Sequence, residues 1–379
     1  MRFVDEFRDR QPVTAALHRI ASATKTKWTL MEVCGGQTHS LLKYGIVELL
    51  EPYVTLIHGP GCPVCVTDAK FIDDAIQLAQ TPDVILTTFG DLVRVPGTHQ
   101  SLLSAATTGA RFVPVYSPTD AVRLAATNPD QQVVFFAVGF ETTVPATALA
   151  ILQADRLKLR NFSVLNAHVR VLPAMELLAQ EPSRVLDGFL AAGHVCAVTG
   201  WKEYASFTAQ HRVPVVITGF EPLDLLHGIE HCIALLENSD PKVINAYSRA
   251  VTFEGNLRSC SLISEVFTPA DRVWRGLGQI SVGGFEFQPG YRYLDARVRF
   301  ASELSGNEKT NPVEPQIDAK NSTTATPVCI AGDILTGKRR PCDCSEFGRA
   351  CTPESPLGAP MVSSEGACAA WFRYRPAVP

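Results

Sequence analysis

The sequence predicts an α/β protein built on parallel sheets, and three observations predict it. Short β-prone runs alternate with stretches of helical periodicity along most of the chain. One run, Gln132-Val133-Val134-Phe135-Phe136-Ala137-Val138, is apolar almost without interruption, as a parallel strand covered on both faces requires. Glycine-containing turns follow several of the strand ends, where sheets of this kind collect ligands.

Taken in order, residues 2–22 read as a mostly amphipathic, highly charged helix. Residues 28–33 read as a strand that ends at Cys34-Gly35-Gly36, and 38–50 as the helix after it. A β-prone run, 53–57, leads into His58-Gly59-Pro60-Gly61-Cys62-Pro63-Val64-Cys65. Residues 69–79 then have helical periodicity, with Thr67 or Asp68 as the N-cap. Further strands are expected at 84–88, 111–115, 132–138, 162–165, 195–200 and 213–218, and a helix at 118–127. A loop, 89–97, follows the 84–88 strand, and the turns Gly139-Phe140-Glu141 and Gly219-Phe220-Glu221 echo one another at two other strand ends. Seven or eight strands with right-handed crossovers imply two α/β units in succession. An eight-stranded barrel is the alternative.

Composition narrows the function. The chain has 379 residues, 46% of them hydrophobic, which allows two or three domains with sizeable cores. A net charge of −4 gives no sign of nucleic-acid binding. The sequence has no apolar stretch of about 18 residues and no signal peptide at Met1-Arg2-Phe3-Val4, so a cytoplasmic protein without a membrane partner is expected. In that compartment its eleven cysteines are expected as thiols, metal ligands or redox groups rather than structural disulfides.

The cysteines fall into groups. Cys62 and Cys65 form a Cys-x-x-Cys on a strand-to-helix turn, and Cys34 occupies a matching turn. A helix N-terminus favours the thiolate, so the Cys62 and Cys65 thiols are expected to titrate low. A zinc half-site or buried core cysteines are the other readings. The strand-end rule gathers Asp91, Glu141, Asn166, His168 and Glu221 beside them as cleft candidates, against the plainer reading of each as a cap or solvated turn. Cys196, Cys232 and Cys260 read as packing residues. Neither a P-loop nor Gly-x-Gly-x-x-Gly after the first strand is present. Residues 301–326 are polar and read as a linker. Beyond it, Cys329, Cys342, Cys344, Cys351 and Cys368 lie in a glycine-rich segment that a metal centre would stabilise. Four thiolates suit zinc or a [4Fe–4S] cluster, and the spacing leaves both open.

Five motifs together are more specific. Glu32-Val33-Cys34-Gly35-Gly36-Gln37-Thr38-His39, Gly59-Pro60-Gly61-Cys62-Pro63-Val64-Cys65, Gly139-Phe140-Glu141-Thr142-Thr143, Gly219-Phe220-Glu221-Pro222-Leu223-Asp224 and Met361-Val362-Ser363-Ser364-Glu365-Gly366-Ala367-Cys368 resemble, in order, those of the HypD family of hydrogenase maturation factors. The resemblance implies two similar parallel-sheet α/β/α domains plus a small, largely irregular iron–sulfur domain. It implies a scaffold that assembles the Fe(CN)₂CO unit of [NiFe]-hydrogenase with a HypC-type chaperone and a HypE-type cyanide donor, and so serves a hydrogenase large-subunit precursor indirectly. Carried over by motif, Cys34 holds the iron, Cys62 and Cys65 are a redox pair or further iron ligands, and Cys329, Cys344, Cys351 and Cys368 hold the [4Fe–4S] cluster. Cys342 is an additional thiol beside Cys344, and Pro360 stands where many relatives have a cysteine.

The domains expected are 28–128, carrying Cys34 and the Cys62/Cys65 loop; 129–300, with part of 250–300 a candidate for return to the first; and 1–27 with 301–379 as the iron–sulfur domain. Two rival functions remain open, a general thiol–disulfide oxidoreductase and a zinc-stabilised interaction protein.

Overall fold

The computed structural model describes residues 4–305 and 329–375. It opens with β1 (Trp28–Glu32) and β2 (Val54–His58), which pair in parallel. The chain then leaves to build a second sheet from β3 (Val84–Thr88), β4 (Phe112–Pro114), β5 (Gln132–Ala137) and β6 (Phe162–Asn166), in the order β4-β3-β5-β6. It returns with β7 (Gly188–Ala192), β8 (Val215–Thr218) and β9 (Val243–Asn245), so the first sheet runs β2-β1-β7-β8-β9. All neighbours within both sheets are parallel. β10 (Phe267–Trp274) and β11 (Gly278–Phe287) form an antiparallel hairpin.

The α/β class is therefore as expected, and two separate open sheets replace the barrel alternative. The two units are interleaved rather than successive. The boundary expected at 128/129 falls between β4 and β5, which share a sheet, and β7 to β9 complete the sheet that β1 and β2 begin. Hydrophobic periodicity marks a strand but not the sheet it joins, which is why this crossing was invisible in the sequence.

Burial explains the strands. Every residue of β6 and β7, and Val133 to Ala137 of β5, is buried. Phe135, Phe136 and Phe162 are each fully buried, worth about 1.5–3 kcal/mol apiece. The run at 195–200, expected as a strand, lies within the helix Gly193–Thr199. Val195, Val198 and Thr199 are β-prone, but Gly188–Ala192 already fills the place between β1 and β8, so tertiary packing overrides local preference. The helix expected over 38–50 is two helices, Gly35–Lys43 and Ile46–Leu50, separated at Gly45, whose φ of +67° ends the first. At the N-terminus the helix is Arg10–Ala23, capped by Asp9, which accepts the Gln11 N–H at 3.0 Å. Of the expected linker, Ala301–Leu304 is helical and 306–326 lie outside the described residues.

The hairpin is the element least visible in the sequence, and it fastens the two sheets. Phe267, Phe285 and Phe287 join the core of the second sheet, and Asn166 Nδ2 donates to Phe285 O at 2.8 Å. Trp274, fully buried, packs instead in the core of the first sheet with Met31, Phe140 and Phe189. The C-terminal helix Ala367–Tyr374 packs against the helix Gly35–Lys43, where the Tyr374 hydroxyl meets His39 Nε2 at 3.0 Å. Segment 329–375 is otherwise short helices and turns around Ile334, Cys351, Met361 and Cys368.

Candidate functional site

Cys34 caps the helix Gly35–Lys43 at the C-terminal end of β1 and is 2% exposed. A buried carboxylate holds the turn. Glu32 accepts the Cys34 N–H at 2.9 Å, the Thr38 hydroxyl, and His58 Nδ1 at 2.7 Å. The Glu32 carbonyl accepts the Gly59 N–H at 2.8 Å, which brings in the turn after β2. Glu32 and His58, from neighbouring strand ends, and Thr38 of the helix thus fix the turn at one cysteine.

The Cys-x-x-Cys loop lies directly on this turn. Gly35 N–H donates to Gly61 O at 2.8 Å. A Cβ on Gly61 would fall 2.1 Å from Cys34 N, so only glycine permits the approach. Cys62 and Cys65 form a disulfide with Cα atoms 5.2 Å apart. They start the short helix Pro63–Val66 and are 3% and 1% exposed. The pair is thus in its oxidised form here.

The far wall comes from β7 and β8. Gly193-His194 follows β7, and His194 Nδ1 stands 3.6 Å from Cys34 Sγ. Phe220, after β8, packs on the His194 ring with centroids 5.3 Å apart. Burial lowers His194 to about 4, so the ring is neutral near pH 7. Burial also pushes the Cys34 thiol well up; the Gln37 N–H opposes this, and the charges of Glu32 and Glu365 add to it. At Cys34 desolvation thus outweighs the helix N-terminus. Sequence reasoning missed His194, because the strand before it was placed seven residues too late. A glycine and histidine at the end of the buried run 188–192 were the available signal.

The C-terminal motif closes the site. A Cβ on Gly35 would meet Glu365 at 2.4 Å, so the Ser363–Gly366 turn sits against Cys34's helix. Val362 packs with Cys62 and Cys65. Glu365 and Asp91 lie within reach of each other's charge on the exposed rim, and Arg94 donates to Pro353 O at 3.0 Å from the same loop.

Four of the five C-terminal cysteines are neighbours. Burial raises the Cys368 thiol, and the charges of Cys329, Cys351 and Cys344 raise it further. Cys329 reaches the surface, yet its sulfur packs against Gly358, and Cys351 and Cys344 act on it as well. Leu357 N–H points to Cys351 Sγ at 3.4 Å. Cys342 is exposed, and its sulfur meets only Asp343, at 4.0 Å. Among the described residues, no group of three or more Cys, His, Asp or Glu is gathered tightly enough for a single metal ion. A cluster makes a different demand, one thiolate on each iron; Cys329 and Cys368 within reach of the charges of Cys344 and Cys351, with a backbone N–H aimed at the Cys351 sulfur, suit it.

The remaining strand-end candidates divide. Glu141 is buried, accepts the Val171 N–H at 3.0 Å through Oε1, leaves Oε2 unpartnered and is raised by burial to about 7. Asn166 and His168 serve packing. Asn166 Oδ1 meets His168 Nδ1 at 2.7 Å while its amide holds the hairpin. Glu221 caps the helix Pro222–Glu237 and pairs with Arg8. Cys196 and Cys232 are fully buried, in agreement with the packing role expected for them.

Comparison with known proteins gives consistent matches. A family model described as HypD, hydrogenase formation hypA family, matches residues 11–375. The chain is 45% identical over 384 residues to hydrogenase maturation factor HypD of Azotobacter vinelandii, covering 99% of this chain and 97% of that one. It is 43% identical over 384 residues to hydrogenase maturation factor HypD2 of Bradyrhizobium diazoefficiens, covering 99% and 97%. Against hydrogenase maturation factor HypD of Escherichia coli K12 it is 41% identical over 383 residues, covering 99% and 98%.

Proposed function

Because the chain belongs to the HypD family of hydrogenase maturation factors, we propose that it is the scaffold on which the Fe(CN)₂CO unit of a [NiFe]-hydrogenase is assembled. The observation that carries this reading is the Cys34–His194 pair, a buried thiol facing a neutral imidazole at 3.6 Å. Iron is the substrate here. A soft thiolate suits iron that carries cyanide and carbon monoxide. Cys34 must lose its proton to bind it, and the neutral His194 ring presents its Nδ1 to the same sulfur. Glu32 and Gly61 hold the Cys34 backbone still while this happens.

The Cys62–Cys65 disulfide lies in the loop that packs on Cys34. Opening it takes two electrons and two protons and yields two thiols, free to ligate iron or to pass the electrons on. Its burial also weighs against a general thiol–disulfide oxidoreductase, since exchange with outside thiols needs access to a sulfur. Cys329, Cys344, Cys351 and Cys368 would hold a [4Fe–4S] cluster, which when bound supplies one-electron transfer. An external one-electron donor would feed it.

A HypC-type chaperone would dock on the rim around Cys34 and the Gly59–Cys65 loop, sealing the site from water and oxygen, while a HypE-type protein delivers cyanide. Cross-links from the chaperone to that rim are expected, and cross-links confined to segment 329–375 would count against it. Among the described residues no helix is long and apolar enough to cross a membrane, and free cysteines suit a reducing compartment, so action in the cytoplasm is proposed. Anaerobic purification followed by metal and sulfide analysis tests the whole reading. A brown protein with about four irons and four sulfides per chain is expected. A colourless protein containing zinc would support the interaction-protein reading instead.

A further inference from the structure

Arg275 opens the turn after the hairpin strand β10 and occupies a place between the two cysteine centres. Its backbone N–H donates to Val66 O at 2.8 Å, one residue after Cys65. Its neighbour Gly276 packs against Gly332, three residues after Cys329, with a Cβ there only 3.0 Å from the Gly332 Cα. The side chain is half-buried, and its Nε and Nη2 are shielded from solvent without a hydrogen-bond acceptor among the described residues. Shielded charged donors left unpaired cost more than neutral ones.

Arg272 Nε is likewise unpartnered among the described residues, though its Nη2 donates to Phe285 O. Two other inward guanidinium groups have carboxylate partners. Arg249 pairs with Asp224 at 2.6 Å, and Arg297 with Asp74 at 2.6 Å. The carboxylates whose charge reaches Arg275 are committed elsewhere. Asp68 caps the Lys70 N–H at 3.2 Å and Asp73 accepts the Thr98 N–H at 2.9 Å. The remaining negative partner is Cys329, whose thiolate and the Arg275 cation favour one another.

We propose that Arg275 is a positioning residue for the cluster at Cys329, Cys344, Cys351 and Cys368, giving positive charge and N–H donors to its Cys329 edge and so raising its reduction potential. The inference rests on the cluster reading above. Reduction adds one electron to a centre already ringed by thiolates, and a nearby cation with donors to sulfur stabilises that added charge. The same residue is tied through Val66 to the disulfide loop, so the potential is set on the side that faces the electron acceptor.

The test is a redox titration of anaerobically purified full-length wild type, Arg275→Met and Arg275→Lys, with iron and sulfide counted in each. In Arg275→Met the cluster is retained and its reduction equilibrium falls about tenfold, a shift of about −59 mV for one electron. Arg275→Lys keeps the charge without the fork and lies between. If the Met variant loses its cluster, the Lys variant carries the comparison. A Met variant that titrates with wild type, or a shift confined to the Cys62–Cys65 pair, overturns the inference while leaving the cluster reading intact. Wild-type protein without iron and sulfide overturns both.

Discussion

Cys34 Sγ and His194 Nδ1 face each other at 3.6 Å across the C-terminal edge of one parallel sheet, from strand ends about 160 residues apart in sequence. β1 and β7 are adjacent, so their C-terminal turns project into the same space. Both groups are held in their neutral forms by burial. A neutral thiol and a neutral imidazole bind iron only with loss of the thiol proton, so iron uptake at this site should improve as pH rises from about 5 to 8.

His194→Gln should weaken iron capture at Cys34 by at least tenfold, while the C-terminal cluster and the unfolding midpoint remain near wild type. Iron retention after anaerobic gel filtration at several pH values measures it. Unchanged capture would leave His194 as a packing partner of Phe220.

The cluster assignment is tested by single Ala variants at Cys329, Cys342, Cys344, Cys351 and Cys368, each assayed for iron and sulfide. Loss is expected at four positions and retention at Cys342, whose thiol is exposed and meets only Asp343. A Cys342 variant that loses its cluster while the Cys344 variant keeps it would reverse the two roles.

Gly61→Ala places a methyl group 2.1 Å from the Cys34 backbone nitrogen. The chain must shift, at a cost of about 1–3 kcal/mol or more. The expected readings are a lower urea midpoint and faster alkylation of Cys34, which is 2% exposed in the native fold. Wild-type values for both would mean that the loop does not press on the turn.

His168 supplies a pH prediction. Burial lowers it from 6.5 to about 3, with the Arg272 charge adding to the effect. The unfolded chain therefore takes up a proton below pH 6.5 that the folded chain refuses down to about 3, and stability falls as pH falls through that window. Against His168→Gln, wild type should lose about 2 kcal/mol between pH 7 and pH 5. Denaturation curves at both pH values check the sign and size, and parallel behaviour of the two proteins would show that the imidazole is protonated in the fold.

Strands and turns with strong local chemistry were legible in the sequence. The helix Pro118–Thr127 and strand β3 lie where expected, and the turns at Cys34 and Gly59–Cys65 meet as the strand-end rule requires. What the sequence concealed was long-range. The interleaving of two sheets depends on which strands pair, not on their periodicity. His194 was hidden because β7 is only five residues long and the β-prone valines after it belong to a helix. Arg275 was hidden because an antiparallel hairpin with its bulge between Ala270 and Arg272 gives weak alternation. The raised Cys34 thiol was hidden because burial, a tertiary property, overrules the helix terminus.

The central claim is that Cys34 holds the iron being assembled. The most direct measurement is the infrared spectrum of the protein purified anaerobically with its chaperone partner, compared with the Cys34→Ala variant. Stretching bands of iron-bound CO and cyanide should appear in wild type and vanish in Cys34→Ala, with maturation activity lost and the fold and C-terminal cluster kept. The same bands at equal intensity in Cys34→Ala would contradict the account.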